Sequence, residues 1–186
     1  MENLTWEHTR HNKCAADGDR CNHEPPQLKL HVERKANRLP LPSFTESGDL
    51  PSGVHRVALD EVGERFGSGT AQRRRVYLRL ERLYSLARST GHLSRMIVFG
   101  SFVTTKADPN DVDIFLLMAD SFDVSMATGE TGLLFDHLAA EAHFGASVFW
   151  LRRQAALDGE QAAVEYWQVK RDGQRRGIVE IDLGAP

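Results

Sequence analysis

The chain has 186 residues and a mass of 20.9 kDa, enough for one well-buried core and short for two, since domains usually hold about 100 to 200 residues. Its composition, 41% hydrophobic and 26% charged with 15 Gly and 7 Pro, excludes collagen-like, coiled-coil and wholly disordered chains. No apolar run approaches the roughly 18 to 20 residues that cross a bilayer, and the opening MENLTWEHTRHNK lacks the apolar stretch of a secretory signal, which together predict a cytoplasmic protein with no membrane partner.

Two cysteines, Cys14 and Cys21, make no disulfide framework, so stability must come from packing. The net charge of -3 argues against wholesale binding to nucleic acid, but its distribution is uneven. Residues 65–95 hold eight Arg against one Glu, whereas residues 107–150 hold eight Asp or Glu and neither Lys nor Arg. An acidic cluster beside a basic helix is what a site for metal ions and phosphates needs.

Five of the seven prolines lie between Pro25 and Pro51, and residues 1–50 show neither a helical period nor alternation. That stretch reads as an extended or mobile N-terminal arm, with residues 51–186 as the folded domain. LPSGVH reads as a turn, followed by a short helix over 58–66. Thr70 is the expected N-cap of a longer helix in which Val76, Leu80, Leu83 and Ala87 recur at helical spacing, with Gly91 as its stop. The period then changes. Residues 96–99 form a short apolar run closed by Gly100, and 112–118 another broken only by Asp113, so the two read as adjacent buried strands. A helix over 130–143, capped at Thr128, precedes a third strand over 147–151. A further helix over 154–170 ends at the Asp172-Gly173 turn, and a strand over 177–183 follows. The predicted class is α/β in the α+β sense: one short mixed sheet with helices on one side.

The segment that bears chemistry is Phe99-Gly100-Ser101, nine residues, then Asp111-Val112-Asp113. Residues two apart in a strand share a side, so Asp111 and Asp113 place two carboxylates together while Val112, Ile114 and Leu116 pack the other face. Two like charges in an apolar strand are costly unless a cation offsets them, and hard Mg²⁺ ions with oxygen ligands would do so. The opposing reading is a strand end that reaches solvent and needs no metal. Gly100 lets the backbone approach a phosphate, and Ser101 at a strand-to-helix turn offers its hydroxyl and the following N–H groups to anionic oxygens.

On these residues the chain resembles the nucleotidyltransferases of the DNA polymerase beta superfamily, whose shared pattern is an apolar strand, Gly-Ser, roughly ten residues and an Asp-x-Asp strand. VFGSFVTTKADPNDVDIFLLM has every element of it. The stretch from Leu39 to Leu183, with LPSGVH and RDGQRRGIVEIDL, also looks like a small bacterial branch of that superfamily. The resemblance implies a nucleotidyltransferase-like sheet and transfer of a nucleoside monophosphate from a nucleoside triphosphate, with loss of pyrophosphate. Two Mg²⁺ ions would be held by Asp111, Asp113 and a third carboxylate. The 147–151 strand has no acid, a departure from the simplest members, so the third ligand is assigned to Asp182, with Glu180 on the same face as the alternative. Gly100, Ser101, Arg175 and Arg176, or arginines of the 73–88 helix, would grip the nucleotide. Small bacterial domains of this type resemble the nucleotidyltransferase halves of toxin–antitoxin or phage-defence pairs, where the acceptor is a hydroxyl of a partner protein, toxin or antitoxin, or of a tRNA. Two other classes compete: a catalytically inactive module of the same fold that binds a nucleotide or a partner protein, and a nucleic-acid-binding regulator using the Arg-rich helix.

His8, His11, Cys14, Cys21 and His23 are of Zn²⁺-binding type, but their spacing fits no familiar finger, and a coil-like arm is the simpler reading. Trp150, Tyr166 and Trp167 are able to stack on a base, although their apolar neighbours suit a core. His137 and His143 read as core or helix-end histidines.

Overall fold

The computed structural model describes residues 40–184, so the His/Cys cluster of the arm lies outside the described residues. Five strands form one sheet, β1 (Gly53–Val57), β2 (Leu93–Phe99), β3 (Val112–Met118), β4 (Ala146–Arg152) and β5 (Gly177–Ile181), in the order β1-β5-β2-β3-β4. β1 runs parallel to β5 and β3 parallel to β4, while β2 is antiparallel to both of its neighbours. This is a mixed α+β sheet with flanking helices, as the alternation of periods predicts.

One face is covered by α1 (Leu59–Phe66), α2 (Ala71–Ser89), α3 (Gly129–Leu133) and α4 (His137–Phe144). Val76, Leu80, Leu83 and Ala87 of α2 are fully buried there against Met96, Val98, Ile114, Leu116 and Val179, so the helical spacing has become a core stripe. Thr70 caps α2 by accepting from the Arg73 N–H at 3.1 Å. The second face is also covered. Ile97, Phe99, Phe115, Leu117 and Ile178 form a smaller cluster under Val164 of α5 (Glu160–Glu165) and Trp167 of the 3-10 turn that follows it. Helices on one side is therefore corrected to helices on both, because Ile97, Phe99, Phe115, Leu117 and Ile178 give the second side of β2, β3 and β5 an apolar patch that also needs cover.

Four boundaries differ from expectation. Residues 53–57 are an edge strand rather than a turn; only Val57 of the five is buried, which leaves almost no alternation to read. Leu41 and Phe44 pack against the core and Leu50 is buried in it, so the tail of the expected arm belongs to the folded body. The 130–143 helix is two helices, because the Asp136 carboxylate accepts from the Ala139 N–H at 3.0 Å and starts α4 afresh. The 154–170 helix shrinks to the six residues of α5, since Gly159 at φ 89° precedes it. Among the described residues no helix is long and apolar enough to cross a membrane.

The loop between β2 and β3 is held by side chains of α2. The buried Arg73 guanidinium donates to the carbonyls of Phe66 (2.9 Å), Phe102 (3.1 Å), Thr104 (2.6 Å) and Lys106. Gln72 donates to the Pro109 carbonyl at 2.8 Å and Arg79 to that of Asn110 at 3.0 Å. A loop buried along one side needs partners for its carbonyls, and the basic helix supplies them.

Candidate functional site

The register sets the centre of the site. Asp113 is paired with Phe99 on one side and with Ser147 on the other, and it points to the second face, beneath which Phe99, Phe115 and Phe149 lie. Val112, Ile114 and Leu116 pack the first face, as the alternation requires. Gly100, at φ 78°, directly follows Phe99, and a Cβ there would fall on the Asp113 carboxylate. Glycine at this position is what lets the acid lie against the backbone. Ser101 starts a single 3-10 turn, Ser101–Val103, and its carbonyl accepts from the Thr104 hydroxyl at 2.8 Å. The turn is too short to provide the helix N-terminus that the sequence suggests.

Asp113 is largely desolvated. Burial, and then the neighbouring Asp111, push its carboxyl up to about 6, while Arg176, a hydrogen bond from Ser147 and Arg171 partly offset them. Both arginines come from the segment that follows α5. After α5 the chain makes a tight hairpin in which Val169 pairs with Arg175, the Lys170 N–H donates to Gln174 at 2.8 Å, and Gly173 turns at φ 81°. The predicted Asp172-Gly173 turn is this one. The buried Nε of Arg176 has no hydrogen-bond partner, so a donor beside Asp113 is left without an acceptor. Lys170 is tied to Asp49 at 3.2 Å.

Asp113, Arg171 and Arg176 face a cleft of about 740 Å³, whose other walls include Phe99, Phe149, Trp167, His137 and Glu141. Trp167 stacks on Phe99 with ring centroids 4.5 Å apart and lies 4.7 Å from Phe149, which His137 covers at 4.8 Å. The cleft thus has an acidic floor, a basic hairpin and an aromatic wall. Such a combination can hold a flat, anionic ligand. Asp111 and Asp113 are an oxygen-only pair of like charge that suits a hard ion such as Mg²⁺, with the remaining positions filled by phosphate and water. Among the described residues no group of three or more His, Cys, Asp or Glu side chains is arranged to hold a metal.

Other expected members of the site lie elsewhere. Glu180 stands opposite Ile97, two strands across and two residues along from Asp113, a separation of about 12 Å. Its buried carboxylate is held by Arg95, at 3.0 Å from Nε and 2.6 Å from Nη2. Asp182 is farther along, just past β5, where it accepts from the Gly184 N–H at 3.0 Å and lies 3.5 Å from Arg56. Strand register carries Glu180 away from Asp113, and Asp182 lies beyond the end of the strand. Arg175 turns outward to Glu165, 3.8 Å away. α2 packs over the opposite face, and four of its arginines are committed within the fold: Arg73 and Arg79 to carbonyls, Arg82 to Glu130 at 3.2 Å, and Arg88 to the Leu183 carbonyl at 2.6 Å. His143 lies 3.4 Å from Glu130, and the Trp150 indole donates to the Phe135 carbonyl at 2.9 Å in the first core.

Sequence reasoning passed over Lys170, Arg171, Ser147, Phe149 and Glu141 as members of the site. For Lys170 and Arg171 a signal existed, because they flank the same turn as Arg176. No curated protein and no solved structure matches the chain. The stretch that carries Asp113, the hairpin and the whole sheet, residues 42–182, does match one protein family, and the chain accordingly belongs to DUF6932, a family of unknown function.

Proposed function

We propose that this protein is a Mg²⁺-dependent nucleotidyltransferase of the minimal DNA polymerase beta type, moving a nucleoside monophosphate from a nucleoside triphosphate to a hydroxyl of a protein or tRNA acceptor, as one half of a toxin–antitoxin or phage-defence pair. The observation that carries the reading is Asp113 on the floor of a 740 Å³ cleft beside the unpartnered Nε of Arg176, with Gly100 pressed against its carboxylate. Asp111 and Asp113 would hold one Mg²⁺, which when bound neutralises phosphate charge. Arg171 and Arg176 grip the triphosphate oxygens, and Trp167, wedged between Phe99 and Phe149, offers an aromatic surface to the base. The acceptor oxygen bonds to the α-phosphorus as the bond to the β-phosphate breaks; the hydroxyl proton passes to solvent and pyrophosphate leaves.

A second reading, a module that binds a nucleotide or partner without chemistry, is favoured by one feature. Ser147 occupies the strand position beside Asp113, and Arg95 holds Glu180 away from it. Titration of the four NTPs with Mg²⁺, with EDTA, and into Asp113→Asn tests the site, and release of pyrophosphate in the presence of cell extract tests the chemistry. Micromolar, metal-dependent binding lost in the variant, together with pyrophosphate release, is expected. Binding without release moves the assignment to the second reading. No binding in either condition overturns both nucleotide readings.

A further inference from the structure

A second cavity, of about 460 Å³, opens beside the cleft, and the two share Phe149, Tyr166 and Trp167. Phe115 and Leu151 of the sheet, Leu157, and Ala162 and Ala163 of α5 line it, and Asp158 is its single charged residue. The rim is apolar and open to water: Leu157 is 95% exposed, Tyr166 70% and Leu151 37%. Isolated exposed leucines need no explanation, but three large side chains around one apolar hollow mark a surface built for contact. Arg152 and Arg153 follow Leu151 at this edge but lie outside the lining, with Arg153 paired to Glu160 at 2.5 Å, so the lining's own charge is negative. Asp158 lines the mouth, and Asp120 is bound to the same segment through the Gln154 N–H at 2.7 Å. A phosphodiester backbone would find no cation in the lining, whereas a basic side chain would complement Asp158.

We propose that this cavity docks a partner polypeptide, which inserts one aliphatic or aromatic side chain between Leu157 and Trp167 and sets a Lys or Arg beside Asp158. The shared wall brings the docked segment next to the cleft, so the acceptor of the proposed transfer is a protein rather than a tRNA. That role rests on the nucleotidyltransferase reading, but the docking itself does not.

The test is selection of a random dodecapeptide display library on the full chain, with no nucleotide present. The recovered peptides should share one apolar anchor with a basic neighbour. A synthetic representative should bind Leu157→Lys and Ala162→Arg at least tenfold more weakly than the parent, and Asp158→Lys severalfold more weakly, while Arg75→Ala on the opposite face leaves binding unchanged. Both pocket positions are exposed, so these variants fold. No enrichment, peptides without an apolar anchor, or equal affinity for the pocket variants overturns the proposal, and displacement by a 20-nucleotide RNA at physiological salt assigns the surface to RNA. Because nucleotide takes no part, a failed peptide selection and a failed NTP titration are separate results.

Discussion

Ser147 stands directly beside Asp113 in the parallel ladder of β3 and β4 and donates a hydrogen bond to its carboxylate. The serine thus stabilises the charged form of an acid that burial disfavours. Replacing it with aspartate would add a third carboxylate where only a hydroxyl now stands. Ser147→Asp is expected to tighten Mg²⁺ binding at least tenfold by calorimetry and, in EDTA, to cost roughly 1 to 3 kcal/mol of stability through like-charge repulsion. If metal affinity does not change, the Asp113 side of the strand is not where an ion binds.

Stability should depend on pH through the same carboxylate. With its folded value raised to about 6 from an ordinary 3.8, the folded protein holds the proton more tightly than the unfolded chain. Its stabilising contribution is therefore complete below about pH 4 and is lost as pH rises through 6, a change on the order of 2 kcal/mol. Urea unfolding in EDTA between pH 4 and 7.5 reads this slope. Asp113→Asn should flatten it and be the more stable protein at pH 7.5.

Glu180 and Arg95 are a buried pair, and removing one partner strands the other. Glu180→Ala is expected to cost about 3 to 5 kcal/mol in urea unfolding, while Asp182→Asn leaves metal-dependent NTP binding intact. Loss of binding on Asp182→Asn at full stability would return that acid to the site.

Arg73→Met would leave the carbonyls of Phe66, Phe102, Thr104 and Lys106 without their donor. A loss of about 3 to 5 kcal/mol is expected. Faster amide exchange confined at first to residues 102–110 would show that the loop opens before the sheet. Arg73→Lys should recover only part of the loss, since an ammonium lacks the guanidinium's planar fork.

Where the sequence was legible, one physical signal dominated. The α2 stripe, the paired apolar strands β2 and β3, and the face on which Asp113 lies all follow from a period of 3.6 or 2 with a buried face. The failures have other causes. β1 is an edge strand with one buried residue and no usable pattern, and the break at Asp136 depends on a side chain capping its own backbone. The error over Glu180 and Asp182 is of another kind. Alternation identifies the face of a strand, but the position along the sheet is fixed by register with β2, which only the paired structure reveals. The aromatic wall required the same knowledge, because Phe99, Phe149 and Trp167 come from three elements.

The last strand in chain order, β5, lies second in the sheet, and β1 pairs with nothing else. During synthesis, then, β1 waits with its backbone groups unmatched while more than half of the chain is made, and the edge of β2 stays open until residues 177–181 leave the ribosome. The helices, the β2–β3 pair and β4 can assemble early, but the sheet closes only after translation has passed Ile181. A nascent chain halted in the hairpin at 170–176 would expose an open strand edge next to an unfinished cleft, and is the form of this protein most prone to pair with a copy of itself.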